Sequence, residues 1–436
     1  MTADKAARQL NAALTLAKEL GRCLQIDASV RLWDGSLVPL GPSPQGKLAL
    51  TIGSAGVISS ILRRPTLDRI VRHYAHGQLG IEGGTIIDLG ERLSDSGTRK
   101  RLKQIDKRLV FKSLWPFLFS HAEAPSQSRE FVGNLSGKNR DREENRDFIK
   151  FHYDVGNEFY KLFLDPWMQY TCAYFKRWDN SLEQAQEDKL EMICRKLRLA
   201  PGQTFLDIGC GWGGLLCYAA EKYGVKAHGI TLSEAQLEIA KARIREKGLE
   251  DRVTVSITDY ADATGVYDKI ASIGMYEAIG AENIPHYFNK VKSLLAPEGL
   301  FLNHAISHRA KKKKRWQSGE GAERRAIRKY IFPGGELDDI GSTIKAMEYC
   351  KFEVHDVECW RPHYALTTRH WCERLTARRE EAIELVGEET YRIWVAYLAG
   401  VSLAFTRGPI RIYQTLASRT SKGKSLVPPT RADLYQ

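Results

Sequence analysis

The chain has 436 residues, 43% hydrophobic and 27% charged, which excludes a wholly disordered chain and fits two or three domains. Lys and Arg number 65 against 53 Asp and Glu, a formal charge of +12 that suits nucleic acid or an anionic membrane face. Eight cysteines without a C-x-x-C pair argue against structural zinc and a disulfide framework, and no metal site is expected.

The N-terminus carries Lys5, Arg8 and Lys18 but no apolar core of a secretory signal, so the expected location is the cytoplasm. Leu10, Leu14 and Ala17 recur at helical spacing. Val30 to Trp33 reads as a strand, Asp34-Gly35 as a turn, and Lys47 to Ile52 as the returning strand. Arg64-Pro65-Thr66-Leu67-Asp68 reads as a helix start and Gly83-Gly84 as a turn. Residues 1–130 therefore form a small α+β domain. Residues 131–146, densely charged around Gly137 to Arg146, read as a linker.

From 147 to 436 strands and helices alternate. Strands are predicted at Thr204–Ile208, Val225–Ile230, Val253–Ile257, Lys269–Ile273 and Leu300–Asn303, and helices at Leu215–Tyr223 and Ser233–Lys247. Such alternation implies an α/β fold with a mostly parallel sheet and crossover helices. Arg309 to Lys329 holds ten basic residues against Glu320 and Glu323, a local patch suited to docking on an anionic surface. The longest uncharged apolar run, Ile393 to Thr406, has fourteen residues. A spanning helix needs ~20.

Gly209-Cys210-Gly211-Trp212-Gly213-Gly214 matches G-x-G-x-x-G between a predicted strand and helix. A nicotinamide fold wants an acid at the end of the second strand. Here that end reads Gly229-Ile230-Thr231-Leu232-Ser233, with no carboxylate before Glu234. An acid, Asp207, instead precedes the first glycine. This arrangement resembles the S-adenosylmethionine loop of Rossmann-like class I methyltransferases.

Further motifs narrow the resemblance. His152-Tyr153-Asp154, Asn157 to Tyr160, Tyr170 to Phe175, Gly229 to Gln236, Ser272 to Glu277, Asn303 to Ile306, Tyr330 to Gly335 and Arg361 to Tyr364 occur in order. Together they resemble the cyclopropane-fatty-acyl-phospholipid synthases over residues 146–410, and more loosely through the N-terminal domain. The resemblance implies methyl transfer from S-adenosylmethionine to a cis double bond of a phospholipid acyl chain. It implies cofactor contacts at Tyr153, Tyr170, Thr171, Asp207, Gly209, Gly211, Thr231, Leu232 and Gln236, with Asp259 and Tyr260 beside the adenine. It implies a bicarbonate ion held by Cys172, Glu277, His304, Tyr364 and the backbone of Ile306. It also implies a lipid-presenting role for residues 1–130 and a peripheral position on the inner membrane face.

One position departs from the family. Ala278 follows Glu277 where His is common, which leaves two products open. Loss of a proton from the delivered methyl closes a cyclopropane, whereas loss from a chain carbon leaves a methyl-branched alkene. An RNA methyltransferase is a further alternative raised by the basic patch. Its aromatic content is only Trp316 beside Lys311 to Arg315, so nucleic acid is not expected. A non-catalytic lipid-binding protein would not need the cofactor loop. A homodimer would suit a protein that meets a membrane through one face.

The chemistry demands such groups. Attack by an alkene on a sulfonium methyl leaves positive charge on the chain. Negative potential must face that charge and a base must take the departing proton.

Overall fold

The computed structural model describes residues 3–42, 46–94, 97–123, 130–131, 148, 152, 155–310, 321–331, 333, 335–420 and 427–435. They form two compact units.

The first unit comprises residues 1–130 with two later segments, 319–330 and 379–403. Reading 147–436 as one continuous domain did not anticipate these returns. Its strands are β1 (Ser29–Arg31), β2 (Leu37–Pro39), β3 (Ala49–Ile52) and β4 (Leu79–Glu82), in the order β2-β1-β3-β4. The hairpin return is β2, antiparallel to β1. The segment expected to return, Ala49–Ile52, instead lies parallel on the other edge of β1. The turn decides this: Gly35 takes φ +88°, Asp34 accepts the Ser36 amide at 3.0 Å, and the chain reverses at once. A helix over Ala3–Leu24 buries Ala13 and Ala17, and Ala13, Val30, Leu48 and Phe117 share one core. Thr66 caps the helix Leu67–Ala75, with Pro65 just outside it. Among the segments of the basic patch, 311–320 lies outside the described residues. Lys329 is engaged with Asp68 and Glu130, and Arg328 is buried.

The second unit holds seven strands: β5 (Thr204–Ile208), β6 (Lys226–Thr231), β7 (Val253–Ile257), β8 (Tyr267–Ile273), β9 (Leu295–His308), β10 (Phe352–Cys359) and β11 (Ile410–Arg419). Their order is β10-β11-β9-β8-β5-β6-β7. Strands β5 to β9 pair in parallel, while β11 runs antiparallel between β9 and β10. On β5, Phe205 enters the core with Ile193 and Leu216, and Leu206 enters the opposite core with Tyr287 and Phe288. Alternate side chains of a strand face opposite sides, so both faces are covered and the strand reads as continuously apolar. Strand β9 runs past its predicted end at Asn303 because His304 and Ser307, though polar, are buried within it.

The strand order reverses at β5, which lies between β6 and β8. Ligands of open α/β sheets bind at such a switch point, beyond the carboxyl ends of the strands. No helix among the described residues is long and apolar enough to cross a membrane.

Candidate active site

The loop after β5 turns on three glycines in left-handed conformations: Gly209 at φ +81°, Gly211 at +54° and Gly213 at +76°. A Cβ on Gly213 would come within 3.0 Å of Ala240 Cβ, so this glycine serves close packing. A Cβ on Gly211 would meet nothing within 4 Å, so the backbone there borders open space. The amides of Gly209 and Cys210 donate to Ile230 O at 2.9 and 3.0 Å, fastening the loop to the end of β6.

At that end Thr231 Oγ1 donates to Gln236 Oε1 at 2.8 Å, and Leu232 is half-buried. Ser233 caps the helix Glu234–Glu246. Thr258 N–H donates to Thr231 O at 3.1 Å, which brings Asp259 alongside. Asp259 is buried and Tyr260 packs its ring 5.3 Å from Tyr287. The predicted contacts at the ends of β5, β6 and β7 thus line one sheet edge.

Residues 170–172 reach the same edge. A Cβ on Gly274 would lie 2.9 Å from Thr171 Cγ2, and one on Gly209 would lie 3.1 Å from Met275. Tyr170 packs between Trp371, at 5.1 Å, and His152, at 5.6 Å. Tyr153 lies outside the described residues.

Sequence reasoning missed the group beneath this edge. Lys189, fully buried, donates to Thr171 Oγ1 at 2.9 Å and to Gln169 Oε1. Burial lowers its ammonium to about 8. Burial lifts the Asp207 carboxyl to about 7, and the Lys189 charge opposes that rise. Asp207 Oδ1 is buried without a hydrogen-bond partner among the described residues. The signal was in the helix Leu182–Leu197: Lys189 recurs at helical spacing with Leu182, Ala185 and Ile193 on the buried face.

A second group gathers around β9. Glu277, on a single turn after β8, is buried, and its Oε1 accepts the Ile306 amide at 2.6 Å. Its Oε2 is buried without a partner among the described residues. Burial raises its carboxyl to about 7, the Ile306 hydrogen bond holding it back. His304 stands two residues before Ile306 and is fully buried. Burial, aided by the charges of Lys189 and Lys196, keeps its ring neutral. Gln414 Nε2 lies 3.1 Å from His304 Nδ1, while His304 Nε2 meets no partner among the described residues.

Trp360 joins the remaining members. Its ring meets His304 edge-on at 5.1 Å, and its carbonyl accepts from Cys172 Sγ at 3.8 Å and from the Tyr364 amide at 3.1 Å. Cys172 is fully buried, with its thiol pushed well up by burial, and also donates to Ala173 O at 3.3 Å. It is therefore a neutral thiol. Tyr364, on the helix Arg361–Ala377, lays its ring 4.6 Å from Phe405. Trp360 thus meets Cys172 and the Tyr364 backbone through its carbonyl, and His304 through its ring. Trp360 and Gln414 carried no motif signal, because they act through neighbours that only folding supplies.

The strand order and the glycine loop after the central strand define a class I S-adenosylmethionine-dependent methyltransferase, the class of its solved structural neighbours. The profile of the family described as mycolic acid cyclopropane synthetase matches residues 140–415. The chain belongs to that family. It is 37% identical over 416 residues to the "Probable fatty acid methyltransferase" of Pseudomonas putida, covering 95% of this chain and 97% of that protein. It is 39% identical over 272 residues to the cyclopropane-fatty-acyl-phospholipid synthase of Escherichia coli K12, covering 62% and 67% of the two chains. The cyclopropane synthase MmaA2 from Mycobacterium tuberculosis matches with a TM-score of 0.59 at 32% identity, over 63% of this chain and 98% of that one. The mycolic acid cyclopropane synthase CmaA1, solved with SAH and CTAB, matches with a TM-score of 0.59 at 33% identity, over 62% and 97%.

Proposed function

We propose that this methyltransferase acts on the cis double bond of an unsaturated phospholipid acyl chain and forms a cyclopropane. The observation that carries this reading is that Glu277 and His304 are both buried, each with one polar atom unpartnered among the described residues, with the buried Trp360 ring against His304. Bound S-adenosylmethionine supplies the electrophilic methyl. Gly209 and Gly211 admit its amino-acid part, Asp207 orders the loop, and Thr231, Leu232, Gln236, Asp259 and Tyr260 take the ribose and adenine. Tyr170 and Thr171 close the site from the other side.

The donor set at the second group fits bicarbonate. His304 Nε2–H can donate to an anionic oxygen, and Glu277 Oε2 can accept a hydroxyl. Such an ion, held also by Tyr364, would supply a proton acceptor; Cys172 and the Ile306 amide would join it by turning from Trp360 O and Glu277 Oε1. Glu277, with a carboxyl near 7, can itself hold the departing proton. The rings of Tyr170, Trp360 and Trp371 exclude water that would capture a carbocation.

A second reading is supported by Ala278 and by the near full-length relative named a fatty acid methyltransferase. In it the proton leaves a chain carbon and a methyl-branched alkene results. One experiment separates the readings. The purified protein is incubated with S-adenosylmethionine and cis-unsaturated phosphatidylglycerol vesicles, and the fatty-acid esters are analysed by mass spectrometry. A product one methylene heavier that resists mild hydrogenation is the ring. The same mass with a reducible double bond is the branched chain. No added mass, with cofactor still bound, overturns both.

A further inference from the structure

The helix Lys107–Leu118 of the first unit has an outward face that a surface helix should not have. Its inward side buries Ser113 and Phe117, the latter in the unit's core. The opposite side should then be polar. Instead it carries Phe111, Trp115 and Phe119, exposed by 61%, 53% and 76%. Their rings form a ladder, 5.8 Å from Phe111 to Trp115 and 5.5 Å from Trp115 to Phe119. A contiguous exposed apolar patch of this kind marks an interaction surface.

The charges around it select the partner. Lys107 flanks the ladder on one side and Arg108 and Lys112 on the other, all exposed. Lys100 and Lys103 on the preceding turn are exposed as well. None of the five makes an ion pair among the described residues. The one acid between residues 98 and 120, Asp106, is consumed as the helix cap, accepting the amides of Arg108 and Leu109. Two copies meeting through this face would bring cations against cations, because a two-fold contact pairs a patch with itself. An anionic bilayer meets both demands. Phe and Trp rings settle at the headgroup level while Lys and Arg reach lipid phosphates.

We infer that the helix Lys107–Leu118 with Phe119 is a docking element for anionic phospholipid bilayers. It inserts its aromatic ladder at the headgroup boundary and seats its flanking cations on the lipid phosphates. The inference deepens the reading that the substrate is a membrane phospholipid, and it rests on that reading for its purpose.

The test uses the full chain and vesicles of fully saturated phosphatidylglycerol, which cannot be methylated, so binding is read apart from chemistry. Wild type is expected to co-sediment with these vesicles, less so as salt rises, and weakly with phosphatidylcholine. Phe111→Ser/Trp115→Ser/Phe119→Ser should bind at least about tenfold more weakly. The same variant should keep its S-adenosylmethionine affinity and its activity on detergent-dispersed unsaturated lipid. Trp115→Phe gives an independent reading: brominated phosphatidylglycerol should quench wild-type fluorescence more than that of the variant. Undiminished sedimentation of the triple variant, or equal quenching, overturns the inference. So does a wild-type dimer that the triple variant converts to monomer with vesicle binding unchanged. Loss of methyl transfer on dispersed lipid by both proteins would instead indict the substrate assignment and leave the sedimentation result to decide docking.

Discussion

Gln414 holds its side-chain amide nitrogen 3.1 Å from Nδ1 of His304, and both residues are fully buried. With the amide nitrogen turned to the ring, Gln414 donates, Nδ1 accepts and the ring proton sits on Nε2, an orientation that leaves Gln414 Oε1 without a partner among the described residues. The pairing is made by the sheet: β11 runs antiparallel to β9 with Gln414 directly opposite His304. A strand that carries no motif thus sets the tautomer of a residue that does.

Replacing Gln414 by Leu should free that tautomer. We expect turnover to fall roughly tenfold, equivalent to ~1.4 kcal/mol in the barrier, with S-adenosylmethionine affinity unchanged. Nitrogen-15 spectra should show the proton on Nε2 in wild type and a mixture in the variant. A wild-type proton on Nδ1 would reverse the assignment.

Glu277→Gln should keep cofactor affinity and lose most turnover, as calorimetry and product analysis would report. Wild-type kcat/KM should rise with pH through about 7, the value to which burial lifts this carboxyl. Stability should move the other way. A carboxyl raised from 4.5 to about 7 binds a proton in the folded state that the unfolded state has lost. That contribution is full below pH ~4.5 and is lost as pH rises through about 7. The Gln variant should therefore out-melt wild type at about pH 8, by up to ~3 kcal/mol, and lose that advantage near pH 4. Equal melting at both pH values would show that the carboxyl is not raised.

Lys189→Met should weaken S-adenosylmethionine binding, because Thr171 Oγ1 and the buried Asp207 both lose the ammonium. We expect at least about a tenfold rise in Kd, the cost of one uncompensated buried polar group. Asp207 should then stay protonated to higher pH, shifting the pH dependence of binding upward. Unchanged affinity across the pH range would remove Lys189 from the site.

Two neighbouring glycines should fail differently. Gly213→Ala sets a methyl against Ala240 in a left-handed conformation and should lower the melting temperature. Gly211→Ala carries the same backbone strain, ~1 kcal/mol, but its methyl enters open space. It should fold and lose cofactor binding. Normal binding by Gly211→Ala would place the cofactor elsewhere.

The residues that bind by backbone shape were legible in the sequence. Glycine spacing, the preceding acid and a cap such as Ser233 act within a few positions, so local pattern reveals them. Strands β5 and β7 were read to the residue, because parallel strands covered on both faces are short apolar runs between turns. Strand β9 was cut short, since its buried polar residues look like a strand end until their partners on β8 and β11 are known.

The sequence by itself determined the alternating α/β architecture, the cofactor loop and the ordered motifs that mark the family. Tertiary structure alone decided that Lys189 lies under Thr171, that Gln414 orients His304 and that Cys172 meets Trp360. It also decided that residues 321–330 and 379–403 pack with the N-terminal unit. The physical reason is range. Periodicity, turns and caps act between neighbours in the chain. Burial that neutralises His304 and lifts Glu277 to about 7 comes from elements far apart in sequence, and exists only once they are packed.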